Sequence, residues 1–488
     1  MTSAAVCGAD EALTARALSE RVERLAQALR RERPRVLGLL VDNGPDWVVA
    51  DLAAERAGLP RVPLAAFFTG AQLRHAVETS GIDALLCSDP EAAGALGFTQ
   101  RAAPEGTRLG WFRRDTPPVA LPEGSAQITF TSGTTGTPKG VCLGTAQQRA
   151  VAEAIAQATR RLRIERHLCL LPLAVLLESV AGVRAPLIAG AACCVPPLAE
   201  VGVVGATGFD PRACLAAIER WHAHSVILLP QMLLALTAAL EAGAPPPSSL
   251  RFAAVGGAKV APSLITRARA AGLPVYEGYG LSECGSVVAL NLPGANRTGS
   301  VGRPLPHAGL RIAEDGEILV SGSRFLGYLG DRTETNPGAW LHSGDLGRLD
   351  ADGFLTVDGR RKNVLITSFG RNVAPEWPEA ELAASGAIAQ AAVFGEARPR
   401  LCAVIVPRVP QASDAAIDAA LQGVNARLPD YAQLAFWIRA DAPFGPADGS
   451  ATSNGRLRRE VVWSRYAERI ESRYQDHMHC GVESNALL

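Results

Sequence analysis

Short apolar runs of strand length alternate with longer amphipathic stretches over most of the first 300 residues. In the stretch 10–33, leucine, valine and alanine recur at helical spacing among charged residues, and the apolar run 35–41 that follows has the length of a strand. The alternation resumes near residue 150 and continues through the apolar run 252–256. Because strands that alternate with covering helices form parallel sheets, the pattern predicts an α/β fold.

The pattern changes after residue 300. Residues 309–358 consist of short strands and turns, including the hairpin turn 351–353, and a separate α+β pattern begins after residue 361. We therefore predict a large N-terminal domain over residues 1–360, built of parallel α/β subdomains and a small β-rich portion. A small α+β C-terminal domain is predicted over residues 361–488.

The composition excludes several classes of protein. Basic and acidic residues balance at 48 each, so no net charge favours nucleic acid or anionic lipid. The uncharged stretch 185–199 contains three prolines and is shorter than the ~18–20 residues that span a bilayer. The ten cysteines form no CxxC pair, and the first eleven residues do not resemble a secretory signal. We expect a cytoplasmic protein without a nucleic-acid partner or an integral membrane segment.

The segment 131–140, TSGTTGTPKG, is rich in hydroxyl groups and glycine and contains one of the three lysines of the chain, Lys139. Glycines let backbone amides approach a phosphate, and hydroxyl and ammonium groups add hydrogen-bond donors. The segment is not the P-loop of NTPases, because Pro138 and Gly140 keep it a loop where that motif opens a helix. We therefore predict a phosphate-binding loop.

This string resembles the phosphate loop of the adenylate-forming enzymes, a family that includes acyl-CoA synthetases, luciferases and peptide-synthetase adenylation domains. The resemblance extends to Arg459, and the motifs are most similar to those of long-chain acyl-CoA synthetases. It implies that ATP and Mg2+ are bound, and that Thr131 and Lys139 are catalytic, Thr131 also being a Mg2+ ligand. The phosphate-binding residues implied by this segment are Thr131, Ser132, Gly133, Thr134, Thr135, Gly136 and Lys139.

A second match is the string 276–283, YEGYGLSE. Its resemblance to the family motif implies that Tyr279 stacks on adenine, that Ser282 contacts the α-phosphate and that Glu283 is catalytic and binds Mg2+, a hard cation suited to oxygen ligands. Upstream, the string 256–258 matches the family's adenine-side turn, where glycine lets the flat base lie close. The nucleotide-binding residues implied by both strings are Gly256, Gly257, Ala258, Glu277, Gly278, Tyr279, Gly280 and Ser282.

The third match combines the string 343–345, SGD, with the string 358–363, DGRRKN. The resemblance implies that Asp345 accepts hydrogen bonds from the ribose hydroxyls and that Arg360 contacts ribose or phosphate. It also implies that Lys362 belongs to the nucleotide-binding set and forms the hinge about which a mobile C-terminal domain swings between half-reactions.

Two strings depart from the family. In 452–459, TSNGRLRR, Arg456 occupies the position of the family's catalytic lysine, and a planar guanidinium is not equivalent to a compact ammonium. In 171–178, LPLAVLLE, Val175 replaces the usual histidine or aromatic residue, which suits a hydrophobic acid. Arg456 is implied to be catalytic. The residues implied to contact the acid are Val175, Glu178, Gly256, Gly278 and Cys284.

The resemblance implies an ATP-dependent, AMP-forming ligase that activates a carboxylic acid as an acyl-adenylate and transfers it to a thiol, with coenzyme A as the expected acceptor. Arg456 and Val175 keep an alternative open, in which the activated group passes to a nitrogen nucleophile or nitrite is the activated oxyanion. A nucleotide-binding scaffold without activity is a remote alternative. The sequence leaves open the acid, the choice between coenzyme A, a carrier protein and an amine, and the oligomeric state.

Overall fold

The structure is a computed structural model that describes residues 4–131, 138–205, 208–331, 339–452 and 455–484, with side chains described as far as residue 475. Contacts divide the chain into two compact units. The large unit consists of Met1–Ala258, Ile265–Ser343 and Leu349–Thr356. The small unit consists of Lys259–Leu264, Gly344–Arg348 and Val357–Leu488. The predicted domain boundary near residue 360 stays a prediction.

The chain begins with alternating strands and helices. Up to residue 131 they are β1 (Ala4–Cys7), β2 (Ala12–Thr14), α1 (Ala15–Glu32), β3 (Leu37–Leu40), α2 (Pro45–Ala57), β4 (Arg61–Pro63), α3 (Gly70–Ser80), β5 (Ala84–Cys87), α4 (Pro90–Ala95), β6 (Thr99–Arg101), β7 (Gly110–Arg113) and β8 (Gln127–Thr131). From residue 139 to 281 they are β9 (Lys139–Leu143), α5 (Thr145–Thr159), β10 (Arg166–Leu168), a π-helix (Glu178–Arg184), α6 (Ala185–Ala189), β11 (Ala192–Cys194), β12 (Val203–Val204), β13 (Gly208–Phe209), α7 (Pro211–Arg220), β14 (Ser225–Leu228), α8 (Pro230–Glu241), β15 (Phe252–Val255), α9 (Pro262–Ala270) and β16 (Val275–Leu281).

The remaining elements are mostly strands as far as residue 373. They are β17 (Ser286–Leu290), β18 (Arg303–Pro304), β19 (Ala308–Ile312), β20 (Glu317–Gly322), β21 (Gly327–Tyr328), β22 (Leu341–Leu349), β23 (Leu355–Arg360), β24 (Leu365–Ile366) and β25 (Asn372–Val373). The C-terminal elements are α10 (Glu376–Ala384), β26 (Ile388–Phe394), β27 (Leu401–Pro407), α11 (Asp414–Asn425), β28 (Leu434–Arg439) and α12 (Arg459–Ser484).

Two large mixed sheets form the large unit. Over the described residues, one sheet has the strand order β18-β17-β16-β15-β14-β10-β11-β1-β2 and the other has the order β21-β9-β8-β4-β3-β5-β7-β6. Helices α1 and α2 share one apolar core with strands of both sheets, and this core includes the fully buried Trp47 and Trp111. The inner strands pair in parallel, as in β3 with β4 and β5, which confirms the predicted α/β fold.

The first helix begins later than the sequence pattern predicted. Residues 10–33 were expected to be helical, but Ala12–Thr14 form β2, which pairs antiparallel with β1. The Thr14 hydroxyl then accepts a hydrogen bond from Ala17 N, which satisfies a donor in the first turn of α1. The helix ends at Glu32, and Arg33 adopts a left-handed conformation with φ 49°. Local capping by a threonine therefore sets the start, which the apolar periodicity alone does not reveal.

The small unit contains a sheet with the order β26-β27-β28 within the described part of the chain. Strand β26 pairs antiparallel with β27, and β27 pairs parallel with β28. Apolar residues of α10 and α11 pack on one face, and Val462, Tyr466 and Ile470 of α12 pack on the other. This two-layered covering agrees with the predicted α+β pattern of the C-terminal region.

The described residues bear on two features, membrane-spanning helices and disulfide bonds. The helices there are each too short or too polar to cross a bilayer. Nine cysteines are described, and each is buried with its thiol outside any disulfide.

Candidate active site

The predicted phosphate loop joins two strands of a β-hairpin. Strands β8 and β9 pair antiparallel, with Thr131 opposite Lys139, and the Thr131 hydroxyl donates a hydrogen bond to the Lys139 carbonyl over 3.4 Å. The Lys139 side chain is exposed. The structure therefore brings Thr131 and Lys139 together at the loop end of the hairpin. The other predicted residues of this loop lie outside the described residues: Ser132, Gly133, Thr134, Thr135 and Gly136.

A histidine from a distant helix contacts the base of this loop. His75 Nε2, on α3, lies 3.0 Å from the Pro138 carbonyl oxygen, so its N–H donates to that oxygen. His75 also contacts the Phe130 ring edge-on, with 6.0 Å between the ring centroids. The sequence analysis did not identify His75, because nothing in the local pattern of α3 indicates a contact 63 residues away.

Glu283, the predicted Mg2+ ligand, lies in the short 3-10 turn Ser282–Cys284 that follows β16. Its backbone carbonyl accepts hydrogen bonds from Gln147 Nε2 at 3.1 Å and from Phe325 N at 2.7 Å. Its half-buried carboxylate accepts a hydrogen bond at Oε1 from the Tyr328 hydroxyl at 2.9 Å. Glu283 is thus fixed through both backbone and side chain by residues that the sequence analysis missed.

Tyr328 connects Glu283 with Lys139. Strand β21 pairs antiparallel with β9, so that Tyr328 lies opposite Val141, two residues from Lys139. Lys139 Nζ lies 5.2 Å from the centroid of the Tyr328 ring, within the range of a cation–π contact. Edge pairing of β21 with β9 therefore places an aromatic ring and its hydroxyl between the predicted phosphate-binding lysine and the predicted metal ligand.

The predicted adenine-side residues lie on adjacent strands of one sheet. Strands β15 and β16 pair in parallel with Val255 opposite Glu277, so the turn Gly256–Ala258 lies beside Gly278. A Cβ atom at Gly256 would lie 2.9 Å from the Gly278 carbonyl oxygen, and one at Gly280 would lie 1.5 Å from the Ser286 carbonyl oxygen. Close backbone approach therefore requires glycine at both positions.

The other predicted nucleotide-binding residues of this region differ in exposure. Gly257 adopts φ 86°, and Glu277 is buried, with 7% of its surface exposed. Tyr279 and Ser282 are half-buried at the end of β16 and in the turn after it. The structure thus brings the two predicted glycine-rich segments side by side and leaves part of the Tyr279 ring accessible.

Asp345 and Arg360, the predicted ribose-side residues, form an ion pair within the small unit. Arg360 Nε lies 2.9 Å from Asp345 Oδ1, and the Asp345 side chain is only 6% exposed. Gly344 before it adopts φ 72°, a conformation that favours glycine. The carboxylate is therefore held in place by a guanidinium that is itself 36% exposed.

Lys362, the predicted hinge residue, is exposed in a 3-10 turn next to a buried charge network. Partial burial and the neighbouring Arg360 lower the pKa of Lys362. Within the network, Arg459 Nη1 lies 3.6 Å from Glu376 Oε1, and Arg459 also contacts Glu379. Burial, opposed by Arg459 and reinforced by Glu376, raises the pKa of Glu379 to about 7.

Arg456, at the family's lysine position, projects from a tight turn. Thr452 N donates to the Arg456 carbonyl at 2.8 Å, and Arg456 N donates to the Thr452 hydroxyl at 3.1 Å. Ala451 and Leu457 form an isolated antiparallel bridge that closes the turn. The backbone of Arg456 is therefore anchored, and its side chain is exposed.

The predicted acid-binding residues Val175, Glu178 and Cys284 differ in how far they are buried. Val175 is half-buried in a turn that its amide closes by donating to the Pro172 carbonyl at 2.8 Å. Glu178 is fully buried and Cys284 is 1% exposed, so the substrate contacts implied for both residues stay predictions. Burial and the adjacent Glu283 raise the pKa of the Cys284 thiol to about 12.

The Glu178 carboxylate contacts the segment that precedes it. Its Oε2 accepts from Leu171 N at 3.1 Å, and its Oε1 lies 3.1 Å from His167 Nε2. His167 Nδ1 lies 2.8 Å from the Ser225 hydroxyl oxygen. With Cys169, these residues have the composition of a metal site, but the contacts among them already engage both histidine nitrogens and both carboxylate oxygens. We interpret the cluster as an internal hydrogen-bond network.

Comparison with known proteins finds family matches over most of the chain. A model of the AMP-binding enzyme family matches residues 2–329, and a model of the AMP-binding enzyme C-terminal domain matches residues 362–478. The chain is 36% identical over 252 residues to the long-chain-fatty-acid–CoA ligase FadD15 of Mycobacterium bovis, and this match covers 46% of the chain but only 42% of the relative. It is 33% identical to the feruloyl-CoA synthase of an Amycolatopsis species, over 81% of this chain and 84% of that one.

A solved structure extends the similarity to nearly the whole chain. The amide bond synthetase McbA from Marinactinospora thermotolerans has a TM-score of 0.74 and 27% identity, and the match covers 96% of this chain and 97% of that one. The family prediction from the motifs is thus confirmed. Because the first family model alone matches well over half of the residues, this chain belongs to the AMP-binding enzyme family.

Proposed function

We propose that this chain is an ATP-dependent, AMP-forming ligase that activates a carboxylic acid as an acyl-adenylate and transfers the acyl group to coenzyme A. The observation that carries this proposal is the convergence of the Lys139 ammonium and the Glu283 carboxylate on Tyr328, at the end of the hairpin that holds the predicted phosphate loop. A cation and an acidic ligand side by side suit the binding of a polyphosphate with its metal ion.

The chemistry of the donor groups fits Mg2+. Thr131 offers a hydroxyl oxygen and Glu283 a carboxylate, and this cation prefers hard oxygen ligands. When bound, Mg2+ would neutralise charge on the phosphate oxygens.

The chain's own residues would perform the remaining work. The substrate carboxylate attacks the α-phosphorus of ATP in line and pyrophosphate leaves, so catalysis depends on positioning and charge neutralisation. Lys139 and Arg456 provide positive charge for the reacting groups. Asp345 holds the ribose, and its ion pair with Arg360 fixes the carboxylate before the nucleotide binds. Tyr279 is the stacking partner for adenine.

Coenzyme A is the acceptor that the relatives favour. The Amycolatopsis relative is a feruloyl-CoA synthase, and the similarity covers 81% of this chain. Val175 leaves an apolar, half-buried side chain in the segment predicted to contact the acid, which suits an acid with a hydrophobic or aromatic body.

A nitrogen nucleophile is the second candidate acceptor. The amide bond synthetase McbA is 27% identical to this chain, and its structure matches 96% of it. Arg456 in place of the usual lysine also keeps this alternative open, since a planar guanidinium is not equivalent to a compact ammonium. Activation of nitrite belongs to the same alternative.

ATP–pyrophosphate exchange with a panel of carboxylic acids and nitrite tests the proposal. We expect exchange that depends on one class of acid, and the absence of exchange with the whole panel would favour a nucleotide-binding scaffold. With the active acid, the mass of the product formed in the presence of coenzyme A or of amines then identifies the acceptor. An amide formed in the presence of both would replace coenzyme A by a nitrogen nucleophile in the proposal.

A further inference from the structure

The Tyr328 side chain contacts two residues that the proposed function assigns to the phosphates and the metal ion. Its hydroxyl donates to Glu283 Oε1 at 2.9 Å, and its ring centroid lies 5.2 Å from Lys139 Nζ. The hydroxyl therefore engages the anionic member of the site while the π face engages the cationic member. A phenylalanine would keep only the second contact, and an aliphatic residue would keep neither.

The backbone and the neighbouring ring fix the position of Tyr328. Strand β21 pairs with β9, so the Cα of Tyr328 lies opposite that of Val141 in the strand that begins at Lys139. The Phe325 ring packs edge-on against the Tyr328 ring, with 4.8 Å between centroids. Phe325 N also donates to the Glu283 carbonyl at 2.7 Å. One short segment thus contacts Glu283 through the backbone at Phe325 and through the side chain at Tyr328.

We propose that Tyr328 is a positioning residue that orients the Glu283 carboxylate for Mg2+ and holds the Lys139 ammonium beside it. This inference rests on the proposed function. A hydrogen bond to one carboxylate oxygen limits rotation of the group and so directs its remaining lone pairs, and such partners of a metal ligand typically contribute about 10- to 100-fold to metal affinity. The ring face stabilises the ammonium next to it.

Substitution of Tyr328 by phenylalanine or leucine, with ATP binding measured with Mg2+ and in EDTA, separates the hydroxyl contact to Glu283 from the ring contact to Lys139. In Tyr328→Phe, we expect the Mg2+ concentration that half-saturates ATP binding to rise about 10-fold, because the Glu283 carboxylate loses its orienting donor. ATP affinity measured in EDTA should stay within about 2-fold of that of the wild type, since the ring face remains. In Tyr328→Leu, ATP affinity in EDTA should fall as well. Calorimetric titration of ATP at graded Mg2+ concentrations measures both quantities.

A matched control and a double mutant make the test specific. Tyr431→Phe removes a hydroxyl from a side chain that is 38% exposed in the small unit and should change neither quantity. Because Tyr328 acts through Glu283, Tyr328→Phe should have little further effect on Mg2+ dependence in a Glu283→Gln background. Equal Mg2+ dependence in wild type and Tyr328→Phe, or full additivity in the double mutant, would overturn the inference.

The binding measurements keep this inference distinct from the proposed function. If the wild type binds ATP in an Mg2+-dependent manner but exchanges no pyrophosphate with any acid, the ligase proposal fails while the role of Tyr328 is still measured. If the wild type is an active ligase and Tyr328→Phe binds Mg2+ and ATP as the wild type does, only the positioning role fails. Thermal melting of each variant identifies loss of folding, and the conservative phenylalanine variant keeps the ring that packs on Phe325.

Discussion

Removal of the negative charge from Asp345 should change how the protein distinguishes ribose from deoxyribose. The Asp345 carboxylate is almost fully buried and is held by Arg360 Nε at 2.9 Å, so its position does not depend on the nucleotide. A hydrogen bond to a charged group contributes about 1.5–3 kcal/mol, whereas one between neutral groups contributes about 0.5–1.5 kcal/mol. The Asp345→Asn variant keeps the size of the side chain and an acceptor oxygen but removes the charge.

These magnitudes give a prediction for each nucleotide. If the carboxylate accepts a hydrogen bond from the 2′-hydroxyl, the wild type should bind 2′-deoxyATP about 10- to 150-fold more weakly than ATP. In Asp345→Asn, the same comparison should give only about 2- to 10-fold, because a neutral acceptor remains. Calorimetric titration of both nucleotides against both proteins provides the four affinities, and the difference between the two ratios reports the contact directly.

The control is a second aspartate of the small unit. Asp358 pairs with Arg348 and is 43% exposed, so Asp358→Asn removes one ion-paired charge without a predicted nucleotide contact. Its ratio of ATP to 2′-deoxyATP affinity should equal that of the wild type. An equal deoxyribose penalty in wild type and Asp345→Asn would refute the assignment, and Asp345 would then serve only to hold Arg360.

Three further substitutions test other parts of the structure. Arg456→Ala should slow adenylate formation, measured by pyrophosphate exchange, while sparing acyl transfer from a synthetic adenylate, measured by product mass. If the wild type and Arg456→Ala have equal rates in both steps, Arg456 has no part in the mechanism. Glu178→Ala should lower the free energy of unfolding, because two buried donors, Leu171 N and His167 Nε2, lose their acceptor at about 1–3 kcal/mol each. As a control, Glu153→Ala removes one partner of an exposed ion pair and should lower the free energy of unfolding by less than about 0.5 kcal/mol. Urea unfolding measures both values. Because the pKa of Glu379 is raised to about 7, the folded protein keeps a proton between pH ~4.5 and ~7 that the unfolded chain releases. The free energy of unfolding should therefore fall by up to about 1.4 kcal/mol for each pH unit in this range. Urea midpoints of Glu379→Gln should lack this slope, and parallel slopes would contradict the assignment.

Local patterns were sufficient to predict the elements that depend on local contacts. The alternation of strands and helices and the loop between β8 and β9 follow from residues close in sequence. The residues that fix Glu283 were not predictable in this way, because Gln147 is 136 residues from it and Tyr328 is 45 residues away in another strand. Such contacts depend on which strands become neighbours in the sheet.

Glu178 has contacts that the motif alone did not predict. It lies in a string that resembles a substrate-contacting segment of the family, so the resemblance implied a substrate contact. The structure starts a π-helix at Glu178 and buries the carboxylate completely, where it accepts from Leu171 N and lies beside His167. The motif therefore did not reveal these contacts, because burial is decided by the packing of distant elements, and the substrate contact stays a prediction.

The turn that carries Arg456 helps to explain why arginine stands at the position of the family's lysine. Two hydrogen bonds of this turn use the backbone of Arg456: Thr452 N donates to its carbonyl, and its N–H donates to the Thr452 hydroxyl. A lysine offers the same backbone groups, so Arg456→Lys is the substitution that changes the reach and shape of the cationic group while keeping its charge. If Arg456→Lys adenylates faster than the wild type, the arginine reflects the strong compositional preference of a chain that retains lysine at only three positions. If adenylation slows, the planar guanidinium of Arg456 is matched to the substrate. The substrate then presents two acceptor atoms to the guanidinium.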